Sequence, residues 1–367
     1  MAGGVGQRRP GLIMVDVLTQ AVLLLTTHFG KSAPGQPRPL GPTEYGRLAQ
    51  WLYEHGLGPQ DLLTGEPRTV LAEWSDSRIS LERIDFLLGR SAALGLAVER
   101  WERAGLWIMT RASQEYPVRL KRRLKTDAPP VLIGCGDQSL LSSGGLAVVG
   151  SRDATPAELS LAAQLGKRAA GESVSVISGG ARGVDEAAML GTLEAGGAAI
   201  GVLADHLLRA ATSRSYRTAL MDNRLVLVSP VNPEAGFDVG NAMARNRYIY
   251  CLAEAAVVVA TSNGSGGTWN GAMSNLKEDW VPLWINPDLE ARAAGTTLVE
   301  KGAHWLPEAD FAIADLLSQP AATPSVKLPP EPPSNEADDL DFYTLFLQKV
   351  QRLTRAAPVT PVQLCAT

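Results

Sequence analysis

The run Leu146-Ala147-Val148-Val149-Gly150-Ser151-Arg152 decides the fold. Four consecutive apolar residues end in a glycine turn, and Pro156 opens an amphipathic stretch just beyond it. Working outward, apolar runs of strand length recur as Val174–Ile177, Ala199–Leu203, Leu225–Val228, Ala256–Ala260 and Val281–Ile285, mostly with helical stretches between them. Near-continuous Val, Ile and Leu predict strands covered on both faces. Alternation with helices predicts a mostly parallel sheet built from right-handed crossovers. The expected class is a doubly wound α/β domain, whose ligands bind beyond the carboxyl ends of the strands.

Three glycine-rich turns fall at such strand ends. The first, Gly150-Ser151-Arg152, leads into the helix near Pro156. The second, Ser178-Gly179-Gly180-Ala181-Arg182-Gly183-Val184-Asp185, again joins a strand to a helix and again carries an arginine. The third, Asn263-Gly264-Ser265-Gly266-Gly267-Thr268, precedes a helix starting near Trp269. Glycine lets the backbone approach an anion, a helix start offers free N–H groups, and an arginine fork holds phosphate at two points. One glycine turn is most often packing, but three at successive strand ends of one sheet point to a ligand. Between the second and third lies Arg245-Asn246-Arg247, two arginines flanking an amide. They read as phosphate contacts, with a surface ion pair to Glu254 or Asp238 as the alternative. Asp185, at a helix start, is expected to cap N–H groups or orient Arg182 rather than to act in catalysis.

Several chemistries are disfavoured. No turn reads Gly-x-Gly-x-x-Gly, and Gly-x-x-x-x-Gly-Lys-[Ser/Thr] is absent, which argues against a dinucleotide redox cofactor and a phosphate-loop hydrolase. His28, His55, His206 and His304 stand apart, without metal-site spacing. No histidine base lies near Ser178 or Ser265 in sequence. We therefore expect no cofactor, no metal and no catalytic constellation. With 34 Lys+Arg against 38 Asp+Glu, any nucleic-acid site must be a local patch. Cys135, Cys251 and Cys365 are widely spaced, which disfavours a disulfide scaffold and makes a reducing cytoplasm the expected compartment. Leu12 to Leu25 is too short and too polar for a membrane span, and no cleavage signal follows it.

Residues 1–11 read as a frayed tail and 12–110 as a small helical module, broken at Pro34-Gly35, Gly56 to Pro59 and Gly65 to Pro67. Such modules commonly dock partners or contact DNA. The basic stretch Arg111 to Lys125 reads as a solvated connector, with a phosphate track as the alternative. The core is expected over 111–317, followed by a proline-rich acidic linker over 318–341 and a restarted helix over 342–367 that ends before acquiring a core.

Read in order, these pieces resemble the DNA-processing protein A family, also called Smf. The match runs through Tyr116-Pro117, Ala128-Pro129-Pro130-Val131-Leu132, Val148 to Arg152, Ser178 to Asp185, Arg245-Asn246-Arg247 and Ser265-Gly266, and on to Gly295 and Lys301-Gly302-Ala303. The resemblance implies an extended Rossmann-like core, and residues 342–367 look like the opening of the winged-helix domain that many members carry. It also implies a homo-oligomer that binds single-stranded DNA without turnover and loads the RecA recombinase onto incoming strands in transformation or recombination. Carried over, Arg152, Arg182, Arg245 and Arg247 would face phosphates, with the Ser178 to Gly183 and Ser265 to Gly267 backbones beside them.

The chain departs from the family pattern at Met189, where a histidine is usual, at Ala260, where a glutamate is usual, and around Ile285-Asn286, where a Pro-Gly is usual. The family's Gly-Leu-Asp-x-x-Tyr-Pro stretch becomes Ala204 to Arg209 and then an arginine-rich run to Arg224. That run reads either as a solvated loop or as a replacement strand contact, with Arg209 on phosphate and Tyr216 stacking on a base; Trp269 is a second stacking candidate. A competing class is a nucleotide-binding sensor or nucleotide-processing protein of the lysine-decarboxylase-like (LOG) group, with phage defence as its setting, whose Gly-Gly-x-Gly-Thr turn Gly266-Gly267-Thr268 resembles. The catalytic glutamates of that group are replaced by Trp269, Asn270 and Gly271. A pure scaffold would leave the three loops unexplained.

Overall fold

Nine strands form one sheet among the residues described by the computed structural model, which are 15–30, 35–287, 292–307 and 310–318. They are β1 (Trp107–Thr110), β2 (Val131–Gly136), β3 (Leu146–Val149), β4 (Val176–Ser178), β5 (Ala199–Val202), β6 (Leu225–Ser229), β7 (Ala255–Val258), β8 (Leu283–Ile285) and β9 (His304–Trp305). Their order is β1-β2-β6-β5-β4-β3-β7-β8-β9. Strands β3 to β9 run parallel, while β2 is antiparallel to both β6 and β1. The chain winds outward from β3 through β4, β5 and β6, then crosses back to add β7, β8 and β9 on the other side. This is a doubly wound, Rossmann-like sheet whose order reverses between β3 and β7.

All six strands read from the apolar runs are present, and every residue of β3 to β8 is buried. Two shift by a residue or two: β4 starts at Val176 and reaches Ser178, and β8 starts at Leu283. Three more strands extend the sheet. β1 lies within the range expected for the helical module, and β9 has only two residues, so neither leaves a periodic signal.

The helices before β1 do not form a separate appendage. Leu48, Leu52, Ile84, Leu87 and Leu88 share one apolar cluster with Val131, Ile133, Leu225 and Leu227 of β2 and β6, so the module covers one sheet face. Its segments are pinned by Arg83, whose guanidinium donates to both carboxylate oxygens of Glu44 at 2.8 Å. On the opposite face, the helix Val239–Leu252 contributes Tyr248, Ile249 and Tyr250 to a second cluster.

The basic stretch is not a solvated connector throughout, and its end at Lys125 is exposed beside a cleft. It forms the helix Val118–Leu124, in which Arg119 donates to Glu254 at 2.7 Å and Arg123 to the carbonyls of Cys251 (2.9 Å) and Ala253 (2.6 Å). These bonds satisfy carbonyls that the end of the helix Val239–Leu252 leaves without partners. The expected tail at 1–11, the linker over 319–341 and the segment 342–367 lie outside the described residues. No helix among the described residues is long and apolar enough to cross a membrane.

Candidate nucleic-acid interface

The reversal between β3 and β7 opens a cleft of about 420 Å³ beyond the strand ends. Its walls come from the turn after β3 (Gly150, Ser151, Arg152), the turn after β7 (Ser265, Gly266, Gly267) and the first turns of the helix Val239–Leu252. That helix starts where Asp238 accepts a hydrogen bond from the Asn241 N–H at 2.8 Å. Asn246 on the same helix donates to the Gly267 carbonyl at 3.0 Å and so fixes the β7 turn.

Asp185 is the hub of the glycine loops. It is buried and accepts backbone N–H groups from Gly150, Gly179 and Ala181, which joins the turn after β3 to the turn after β4. Burial raises its pKa, while Arg245 and the three N–H groups pull the other way. Two glycines are required here. A Cβ on Gly179 would sit 1.7 Å from Arg245 Nη1 and 2.4 Å from Asp185 Oδ2. Gly183 has φ +96°, and its Cβ would lie 2.4 Å from the Ser151 carbonyl oxygen. The capping role read for Asp185 is therefore present, but the arginine it faces is not Arg182. Arg182 lies in the open and pairs with Asp153 at 2.8 Å.

The partner of Asp185 is Arg245, whose Nη1 is 3.9 Å from Asp185 Oδ2. Arg245 is only 5% exposed, which corrects its reading as a surface contact. Neither surface alternative holds, because Glu254 binds Arg119 and Asp238 caps its own helix. Helical geometry explains the difference: Arg245 lies between the buried Ile249 and Tyr248 side of its helix and the β4 turn, whereas Arg247 projects elsewhere. Burial lowers the Arg245 pKa, opposed by Asp185 and Asp205.

A second cleft, of about 710 Å³, lies beyond β4, β5 and β6 and is lined by Gly179, Gly180, Arg182 and Arg209. It shares Arg152, Ala181, Phe237 and Arg245 with the central cleft. Phe237, which sequence reasoning missed, is 51% exposed and lies under the Arg152 guanidinium, 4.5 Å from ring centroid to Cζ. The available signal was an aromatic between Gly236 and the capping Asp238, in the loop after a core strand. A third cleft, of about 590 Å³, adjoins the central one through Met243 and Asn270 and holds Lys125, Arg247 and Lys277. Arg247 lines this cleft and Arg245 does not, although both also line a further cavity beside Pro129 and Pro130. Arg247 faces Asp127 at 3.9 Å and donates to the Tyr248 hydroxyl at 3.1 Å.

Three further assignments change. Ser178 is fully buried and donates to the Val148 carbonyl at 2.6 Å, so its side chain joins β3 to β4 and is not available to a ligand. The stretch Arg209 to Arg224 is not a loop but mostly two helices, Leu207–Ala211 and Arg214–Met221. Tyr216 packs into the core, where burial pushes its pKa up to about 12, and Arg224 donates to the Leu193 carbonyl at 2.9 Å. Trp269 is likewise in the core. Neither ring offers an open face for stacking, and Tyr216 lies on the buried side of a short helix.

The model of the DNA recombination-mediator protein A family matches residues 107–317, from the first strand to the last described helix. The DNA processing protein DprA of Bacillus subtilis (strain 168) is 31% identical over 157 residues, covering 42% of this chain and 52% of that protein. The putative DNA processing protein DprA of Mycobacterium tuberculosis (strain CDC 1551 / Oshkosh) is 30% identical over 187 residues, 50% of this chain and 48% of that one. This chain therefore spans about half the length of the curated relatives it matches. The crystal structure of DNA processing protein A from Streptococcus pneumoniae superposes with a TM-score of 0.59 at 20% identity, covering 76% of this chain and 98% of that one, a likeness of fold.

Proposed function

The chain belongs to the DNA recombination-mediator protein A family, and from that premise we propose that it binds single-stranded DNA along the three joined clefts. The observation that carries this reading is their continuity. Arg182 and Arg209 lie in one outer cleft, Arg152 and Arg245 in the centre, and Lys125, Arg247 and Lys277 in the other outer cleft. Cations spaced along a groove, with glycine-loop N–H groups between them, suit a phosphate backbone. The half-exposed Phe237 supplies an aromatic face where the central cleft meets its neighbour. The arginines, lysines and glycine-loop N–H groups suit phosphates rather than base edges, which supports binding that is indifferent to sequence.

The reading is of a binding protein rather than an enzyme. Transfer of the bound strand to a RecA-type recombinase, by a self-associating protein, is the extension supported by the family's description as a recombination mediator. Fluorescence anisotropy tests the core of the proposal with single-stranded and duplex DNA side by side over a salt series. Tighter binding of the single strand is expected, with a slope of log K against log salt between about −3 and −5, for about four to seven phosphate contacts. Preference for duplex, or a slope near zero, would overturn it.

A further inference from the structure

The floor of the central cleft holds buried donors that the fold leaves without acceptors. Arg245 is 5% exposed, and its Nε and Nη1 have no hydrogen-bond partner among the described residues. The Tyr250 hydroxyl is in the same position, on a side chain 1% exposed. Both residues line the cleft. Asp185 balances the charge of Arg245 but stands at 3.9 Å, beyond hydrogen-bond reach, and already receives three backbone N–H groups. Buried donors are normally satisfied, and leaving them unpaired is unfavourable. Two on one cleft floor mark a place for a ligand rich in acceptors.

We propose that the central cleft is a receptor for a nucleoside 5′-phosphate monoester, presented either by the 5′ end of a DNA strand or by a free mononucleotide. This deepens the strand-binding reading of the same surface and rests on it for the strand-end source. The two unpartnered side chains, Arg245 and Tyr250, and the arginine at the rim, Arg152, can all donate. The one other carboxylate on the cleft wall, Asp153, is held by Arg182 at 2.8 Å. Such a set matches a phosphate, whose free oxygens only accept or carry charge.

Depth selects the monoester. An internal phosphodiester has a chain on both sides, and reaching a guanidinium 5% exposed would draw both into a cleft of about 420 Å³. A terminal monoester presents its free oxygens to the floor and sends one ester outward. It also brings a charge of about −1.5 to −2, against −1 for the diester. The volume is within the range of small-ligand sites. The nucleoside then reaches the rim, where Phe237 exposes half its surface and Arg152 is held against the ring.

The test compares an oligothymidylate carrying a 5′-phosphate with the same strand ending in a 5′-hydroxyl, using the full chain. Thymidine 5′-monophosphate, thymidine and inorganic phosphate serve as competitors and as ligands in thermal melts. The 5′-phosphorylated strand is expected to bind about tenfold more tightly, the effect of one hydrogen bond to a charged group. Thymidine 5′-monophosphate should cancel that advantage, while thymidine and inorganic phosphate should not. Tyr250→Phe, which keeps the ring, should bring the two strands to equal affinity; the comparison on the unaltered protein decides the matter if this variant does not fold.

A preference for the 5′-phosphate without mononucleotide binding assigns the strand end as the source. Mononucleotide binding with both strands bound alike assigns the free nucleotide. If both strands bind alike and the mononucleotide does not bind, the monoester receptor is overturned and the strand reading stands. If the mononucleotide binds and neither strand does, the receptor stands and the strand reading falls. Inorganic phosphate competing as well as the mononucleotide would also overturn the inference, because the cleft would then recognise no nucleoside.

Discussion

The guanidinium of Arg152 lies over the ring of Phe237, 4.5 Å from its centroid, and this pair forms the wall common to two clefts. The contact holds an arginine on the β3 turn against the loop after β6, so a phosphate bound by Arg152 and a base placed on Phe237 would be positioned together. Phe237→Ala should weaken single-stranded DNA binding by ~1–3 kcal/mol, the usual worth of one stacked base. The salt slope should stay unchanged, because stacking releases no counterions. Anisotropy over a salt series measures both quantities, and unaltered affinity would remove Phe237 from the interface.

Arg245 carries a different expectation from that of a surface arginine. Arg245→Met leaves Asp185 buried without its countercharge, and breaking a buried pair in this way costs about 3–5 kcal/mol. The three N–H groups on Asp185 place the outcome toward the lower end. Melting should fall by roughly 10 °C in a chain of this size, and any preference for a 5′-phosphorylated strand should be lost. A variant that melts like the parent would show that Asp185 is content with its backbone donors alone.

Part of this site was legible in the sequence and part was not, for reasons particular residues make plain. The turns at Gly150, Gly179 and Gly183 were readable because strand-end glycines reflect backbone requirements, which are local. The burial of Arg245 was not, because Ala244-Arg245-Asn246-Arg247 shows no period that tells an inward arginine from an outward one. Its hidden side is decided by Gly179 and Asp185, more than fifty residues away in sequence. Tyr216 misled because Ser213 to Met221 is too short and too polar to look helical, yet it buries Tyr216 and Ala219 on one side. Phe237 is a single aromatic in a loop in the sequence, and only the fold brings it to Arg152.

Acid sensitivity should arise in part from the helical module. Burial raises the pKa of Glu44, but hydrogen bonds from Arg83 and the Gly41 N–H outweigh it, so the carboxyl ends below the ordinary glutamate value. A depressed carboxyl stabilises the fold above its unfolded pKa and loses that contribution as pH falls through the folded one. Glu44→Gln should therefore lower stability at neutral pH by about 1 kcal/mol or less and flatten the fall toward acid. Parallel acid limbs in parent and variant, followed by thermal melts from neutral pH downward, would show that the clamp is not a source of the pH dependence.

The third cleft supplies the most direct test of strand length. Lys277 is exposed on the helix Gly267–Glu278, with Glu278 at 3.3 Å as its only ion-pair partner among the described residues, and it shares this cleft with Arg247 and Lys125. If a strand continues from the central cleft past Met243 and Asn270, it meets these three cations next. Lys277→Glu should then weaken binding to a long oligothymidylate and reduce the salt slope by about 0.7 for the lost phosphate contact. It should not change binding to a strand short enough to fill the central cleft alone. Stability should stay within about 0.5 kcal/mol, because Lys277 supports no buried group. Equal weakening on short and long strands would mean that the charge acts at a distance. No weakening on either would end the track at the central cleft and leave Arg247 with its structural partners Asp127 and Tyr248.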